Sequence, residues 1–133
     1  MRYVLDTTAF SAVMKRDPSL LALLERYRPG DIVTVPPVVA EIQFGVERLD
    51  NSTKKYLLLK TERDRLLSLI NVLPWSSESS ENFGKIKAEL EGQGKLIDDF
   101  DIAIAAIALA HKCHIITSNL THFRRIKILT SIS

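Results

Sequence analysis

Several features that define common protein classes are scarce in this chain of 133 residues. A single cysteine, Cys113, excludes an internal disulfide framework and a cysteine zinc cluster, and we expect it to be a small buried residue. The longest apolar run, Ile102 to Ala110, has nine residues, far short of the roughly 20 that span a membrane. The amino terminus has an acid at position 6 and no apolar signal-peptide core. We therefore expect a cytoplasmic protein with no membrane partner.

Acidic residues are also missing from the last part of the chain, although the net charge is only +2. No Asp or Glu follows Asp101, whereas Lys112, Arg124, Arg125 and Lys127 do, together with three histidines. A basic segment beside an acidic site suits a polyanionic substrate. A solvated surface that is basic by chance explains the same pattern equally well.

Strand and helix patterns alternate along the chain. Short β-prone runs occupy residues 2–5, 31–35, 71–73 and 114–117, with a last edge strand expected at 126–129. Helical patterns occupy residues 7–15, 19–28, 38–50, 54–70, 83–94 and 96–110, with a short helical turn expected at 119–125. The serines after Trp75 are expected to form a loop and the start of the helix that continues through 83–94. This alternation indicates an α/β fold, a parallel sheet with helices on both faces. No linker interrupts it, so we expect one domain over residues 1–133.

Polar side chains follow several of the predicted strands. Asp6 comes directly after the first, Asn119 follows the fourth within two residues, and Glu41 lies early in the helix after the second. Three acids between residues 98 and 101 begin the helix that leads into the fourth strand. Ligand sites of open α/β sheets lie beyond the carboxyl ends of the strands. If these strands are neighbours, the polar groups meet at one edge of the sheet.

The first two acids have structural explanations as well. Asp6 can cap the first helix, a role that Thr7 or Thr8 can also fill. Glu41 can be an ordinary solvated residue on its helix. Taken one at a time, neither position distinguishes a functional role from these alternatives.

The acids at the start of the last long helix are more numerous than capping requires. Asp98 or Asp99 can cap the helix for about 1 kcal/mol, and Asp101 gains from the helix dipole. Crowded carboxylates repel one another and raise each other's pKa, a conflict that a divalent cation removes. Oxygen ligands suit Mg²⁺ or Mn²⁺, and such an ion can promote phosphodiester hydrolysis.

Four sequence stretches together resemble a known family. They are LDTTAF at 5–10, PPVVAEIQFGVERL at 36–49, LIDDFDIAIAAIALA at 96–110 and IITSNLTHFRRI at 115–126. Their order and spacing are similar to those of PIN-domain proteins, most of all the VapC-type toxins of toxin–antitoxin pairs. The resemblance implies a three-layer α/β/α fold around a parallel sheet of four to five strands. It also implies a Mg²⁺- or Mn²⁺-dependent endoribonuclease that acts on RNA, forms a homodimer and is inhibited by a cognate antitoxin.

The same resemblance assigns the site residues by position. Asp6, Glu41 and Asp101 match the metal-site acids, with Glu41 acting directly or through water. Asn119 matches the fourth site position of the family, where the side chain orients a water or a ligand. Asp99 is variable in the family and is a candidate for outer-sphere water contacts.

Three positions depart from the family pattern. Thr8 stands where the family often has Asn or Ser, and its hydroxyl can still hold a water or orient Asp6. His122 stands where an acid is common, which removes one carboxylate from the edge of the metal site and leaves one- and two-metal mechanisms open. Asp98 replaces a frequent glycine and is expected to act as a cap.

Several other residues are candidates for contacts with RNA. Arg48 shares a helical stripe with Glu41 and Gly45, so it can reach a phosphate or pair with an acid of the site. Thr8, Arg124 and Arg125 are further candidates, and a basic central arm adds Lys54, Lys55, Lys60, Arg63 and Arg65. Trp75 can stack on a base, although half-buried packing is the commoner role of such a residue.

Other functions fit the sequence less well. A haloacid-dehalogenase-like phosphatase needs an Asp where Thr8 stands, and a receiver domain needs a phosphoacceptor Asp where Leu73 and Pro74 lie. A stand-alone PIN nuclease of RNA processing and a PIN fold that binds a partner without cutting remain alternatives. The sequence favours the toxin ribonuclease.

Overall fold

The computed structural model describes residues 1–119 and 123–126, and the backbone of 131–132. The strands are β1 (Tyr3–Leu5), β2 (Ile32–Thr34), β3 (Asn71–Val72), β4 (His114–Ile116) and β5 (Ser131–Ile132). The helices are α1 (Thr7–Met14), α2 (Pro18–Leu24), α3 (Pro36–Glu47), α4 (Lys54–Leu69), α5 (Ser77–Gly92) and α6 (Asp99–Ala110), and a 3-10 turn spans Pro29–Asp31.

The five strands form one parallel sheet in the order β3-β2-β1-β4-β5. The chain steps from β1 through β2 to β3 in one direction, and then returns across the sheet to β4. Because such crossovers are right-handed, α1 to α4 cover one face and α5 and α6 cover the other. This confirms the predicted three-layer α/β/α fold. The short strands are rich in Val and Ile because both faces of the sheet are covered.

The last part of the chain differs from the prediction. The fifth strand is described at Ser131–Ile132, and Ile126, the first residue of the predicted strand, lies outside any strand. Residues 127–129 of the predicted strand lie outside the described residues. So do residues 120–122 of the predicted helical turn, which include His122.

Side-chain hydrogen bonds cap the starts of α1 and α5. Asp6, rather than Thr7 or Thr8, caps α1, and its side chain accepts from the Ala9 amide. Helix α5 begins at Ser77, within the serines after Trp75 where the sequence indicated a helix start, and Ser76 and Ser79 form a capping box there. Side-chain caps act on single amides, so a pattern of apolar spacing does not reveal them.

The buried helix α6 anchors the face that α5 covers. Its residues 102–108 are all buried, and Ala105 and Ala106 have no exposed surface. These small side chains allow α5 to pack closely, and the Asn82 amide donates to the Ala106 carbonyl at 3.1 Å. The all-round apolar composition of the predicted helix is therefore explained by burial.

We expect Ala106→Leu to destabilise the protein, because the added carbons have no space between α5 and α6. Overpacking of this kind costs about 1–3 kcal/mol, measurable by urea denaturation. Ala88→Leu on the exposed side of α5 is the control and should change stability by less than about 0.5 kcal/mol. Equal effects of the two substitutions would contradict the close packing described here.

Candidate active site

Asp6 lies between β1 and α1, and its carboxylate is enclosed. The residue is 2% exposed, and its amide continues the β1–β4 ladder by donating to the Ile116 carbonyl at 3.1 Å. Oδ1 accepts from the Ala9 amide at 2.8 Å and the Thr8 hydroxyl at 2.7 Å. Oδ2 accepts from the Thr117 hydroxyl. Capping and a place in the site are therefore compatible roles for Asp6.

Thr8 and Thr117 connect Asp6 to the segment after β4. The Ser118 amide donates to the Thr8 hydroxyl at 3.1 Å, and the Asn119 amide donates to the Thr117 hydroxyl at 2.8 Å. Thr117 is 1% exposed. Sequence reasoning missed it as a site residue, although its position at a strand end beside Asn119 was a usable signal.

Glu41 approaches the site from α3. The residue is partly buried, and its Oε1 accepts from the Thr7 hydroxyl at 2.6 Å. This bond connects the start of α1 to the second turn of α3. Thr7 was considered only as a cap, and nothing in its local sequence indicated a contact with a residue 34 positions away.

The three acids at the start of α6 have different surroundings. Asp98 is the N-cap, and its Oδ1 accepts from the Phe100 amide at 2.7 Å. Asp99 has a 61% exposed side chain and pairs with Lys87 at 3.0 Å. Asp101 is partly buried, and its charge acts on both Asp6 and Glu41. The structure thus brings Asp101 toward the other two acids and engages Asp99 with α5.

Burial dominates the electrostatics of the site. It raises the pKa of Asp6, while the Thr117, Ala9 and Thr8 donors lower that pKa and the Asp101 charge raises it further. Burial likewise raises the pKa of Glu41 against the opposing effect of the Thr7 hydroxyl, and nearby carboxylates add to the rise. Protons are held more tightly here than in solution because the charged forms are costly to bury together.

The chemistry of the three carboxylates suits a hard divalent cation. Asp6, Glu41 and Asp101 offer only oxygen, and their mutual repulsion is the kind that a cation removes. Across residues 1–119 and 123–126, no three His, Cys, Asp or Glu side chains are already grouped tightly enough to hold an ion. The three carboxylates would therefore have to approach one another to share one.

The basic candidates occupy different environments. The Arg48 guanidinium lies 5.7 Å from the centre of the Phe44 ring on the exposed side of α3. Arg124 is exposed. Arg125 donates to the carbonyls of Lys95 and Leu96 at 3.3 and 3.2 Å, so it attaches the segment after β4 to the loop before α6.

Some side chains of the central arm, and Trp75, form contacts within the chain. On α4, Arg63 pairs with Asp64 at 2.9 Å and Arg65 pairs with Glu62 at 2.8 Å. Trp75 is 43% exposed and donates to the Ser80 hydroxyl at 2.7 Å. These contacts give the three side chains structural roles.

Comparison with known proteins places the chain in a family. The PIN domain family model matches residues 3–129. Ribonuclease VapC2 of Haemophilus influenzae is 33% identical over 128 residues, which cover 95% of this chain and 92% of that protein. Ribonuclease VapC2 of Rickettsia felis is 30% identical over the same share of each chain.

Solved structures agree with this placement. VapBC2 of Rickettsia felis bound to a promoter DNA fragment has a chain with a TM-score of 0.84 and 29% identity, covering 98% of this chain and 97% of that chain. VapBC-1 of nontypeable Haemophilus influenzae gives a TM-score of 0.84 and 28% identity, covering 98% and 96%. The chain belongs to the PIN-domain family and, within it, to the VapC ribonucleases.

Proposed function

We propose that this protein is a Mg²⁺- or Mn²⁺-dependent endoribonuclease and the toxin of a VapBC-type toxin–antitoxin pair. The observation that carries the proposal is the convergence of Asp6, Glu41 and the charge of Asp101 at the carboxyl edge of the sheet. The relationship to proteins named as VapC ribonucleases supports it.

Each site residue has a distinct part in the proposed reaction. Asp6, Glu41 and Asp101 would hold the ion, which when bound supplies a Lewis acid for attack of water on the phosphodiester. Thr8 and Thr117 fix the Asp6 carboxylate, and Thr7 fixes that of Glu41. Asn119 orients a water or a substrate oxygen from the far side. Fixing these carboxylates beforehand matters because the entropy of orienting them is then not lost at the moment of reaction.

A protein partner is part of the same proposal. Large apolar side chains are exposed on α3 and α4, with Phe44, Leu57, Leu58 and Leu69 each more than 60% exposed. Apolar surface of this kind is typical of protein interaction sites. It supports a cognate antitoxin and a homodimer, and RNA is the proposed substrate. In residues 1–119 and the short described segments after them, no helix is sufficiently long and apolar to cross a membrane.

We expect Asp6→Asn to lower cleavage of total cellular RNA by about 10²–10³-fold with Mg²⁺ or Mn²⁺, the usual size of effect when an electrostatic group of an active site is removed. Antitoxin-free protein and denaturing gels provide the measurement. Asp31→Asn, at the amino end of β2, is the control and should keep wild-type activity.

Absence of ion-dependent cleavage by the wild-type protein, together with absence of growth arrest on expression, would overturn the toxin assignment. Cleavage without growth arrest would instead favour the stand-alone nuclease. Binding of a partner without any cleavage would favour the silent binding module.

We expect Mn²⁺ at about 100 times its Kd to stabilise the wild-type protein by about 2.7 kcal/mol, and Asp6→Asn to gain little. The raised pKa of Asp6 makes protons compete with the ion, so the stabilisation by Mn²⁺ should weaken as pH falls toward that raised pKa. Without the ion, the stability of the protein changes with pH in the opposite direction. The folded protein holds the Asp6 proton more tightly than the unfolded chain, so its stability falls as pH rises from the ordinary Asp pKa of 3.8 through the raised pKa.

Thermal unfolding with and without Mn²⁺ at several pH values provides the measurement. Equal stabilisation of the wild type and Asp6→Asn would contradict a metal site that includes Asp6.

We expect Thr7→Val to lower kcat by about 10–100-fold, the usual cost of removing a group that orients a metal ligand. The hydroxyl of Thr7 lowers the pKa of Glu41, so the acidic limb of the pH–rate profile should also move to higher pH. Thr7→Ser keeps the donor and should restore both properties. A Thr7→Ser variant as impaired as Thr7→Val would show that the hydrogen bond is not the cause.

A further inference from the structure

A groove beside Glu41 has no assigned role so far. Helices α1, α3 and α4 enclose about 230 Å³, which we call the Glu41 groove. Its lining includes Lys15, Glu41, Gly45, Arg48 and Lys55. The apolar members are mostly buried, whereas Lys15, Arg48 and Lys55 are exposed. The groove thus combines an apolar floor with a cationic rim and opens at one of the site acids.

The cations of this rim differ from the other basic residues around the site. Arg16, Arg63 and Arg65 each form an ion pair with an acid. Within residues 1–119 and 123–126, neither Lys15 nor Lys55 forms a side-chain ion pair with an acid. Their charge is therefore available to a ligand from outside the chain.

Gly45 keeps the middle of the groove open. A Cβ added at Gly45 would meet no atom of the described chain within 4 Å, so packing does not explain the absence of a side chain there. Glycine is costly inside a helix, and Gly45 lies within α3. The open stripe from Glu41 past Gly45 to Arg48 spans eight residues, which are seven helical steps or about 10 Å.

We propose that the Glu41 groove binds a phosphate of the RNA that flanks the scissile phosphate. Anionic oxygens match the three cations of the rim, and the length of the stripe separates this position from the carboxylates. The strand would then run from the site acids along α3 toward Arg48 and Lys55. This proposal rests on the nuclease function, because it assigns the path of that enzyme's substrate.

The first test measures binding without cleavage. Each protein carries Asp6→Asn, and the probe is a fluorescent single-stranded oligouridylate of roughly 20 nucleotides. We expect Lys15→Gln with Lys55→Gln to weaken binding about tenfold and to reduce the slope of log Kd against log salt by about 1. The control, Arg28→Gln with Lys112→Gln, removes the same charge at the amino edge of the sheet and should leave both values near the parent's. Equal effects of the two pairs would overturn the proposal.

The second test blocks the groove without changing its charge. We expect Gly45→Met to lower kcat/KM on long RNA and to leave cleavage of a dinucleotide unchanged, since the dinucleotide has no flanking phosphate. A loss of cleavage activity on both substrates would overturn the proposal, because the groove would then act on the scissile phosphate itself.

The two tests separate the groove from the nuclease function. If the wild type cleaves no RNA while the lysine pair still weakens binding, the nuclease function fails and the groove stands only as an RNA-binding site. If the wild type cleaves RNA and the lysine pair binds like the control pair, the groove alone fails.

Discussion

The site depends on the burial of one carboxylate. Asp6 is almost inaccessible, and an isolated carboxylate in that position would be strongly destabilising. Donors from Thr8, Ala9 and Thr117 offset part of that cost. They come from α1 and from the end of β4, so the same bonds that retain the charge also attach two elements of the site to each other.

The other two acids of the site are held by different means. Asp101 lies in the first turn of α6, directly before Ile102, and neither Ile102 nor Ile104 has exposed surface, so its backbone cannot move without disturbing the core. Glu41 is positioned by the Thr7 hydroxyl rather than by packing, and it is the more exposed of the two acids with raised pKa values. The approach that a shared cation requires should therefore fall mainly on the Glu41 side chain.

The sequence was sufficient to predict the fold and to propose the site acids, but it did not indicate the contacts that hold those acids in place. Alternating strands and helices predicted the parallel sheet, and the pairing of β1 with β4 in that sheet explains why Asp6 lies beside the segment that contains Thr117 and Asn119. The bonds of Thr7 to Glu41 and Thr117 to Asp6 span 34 and 111 positions. Such pairs leave no periodic signal, since a single hydroxyl contributes nothing to an apolar pattern.

Counting the basic residues in the sequence did not show which of them are paired with acids. Arg63 and Arg65 looked equivalent to Lys55 on one basic helix, yet both arginines are neutralised by neighbouring acids. Lys55 instead faces a groove that opens at Glu41. An ion pair already formed must be broken before its cation can bind a phosphate, which reduces the net gain, whereas an unpaired surface lysine only releases water and counterions. The electrostatic contribution to RNA affinity should therefore come from few of the basic residues, and those few are distributed around one acid of the site rather than along the helix.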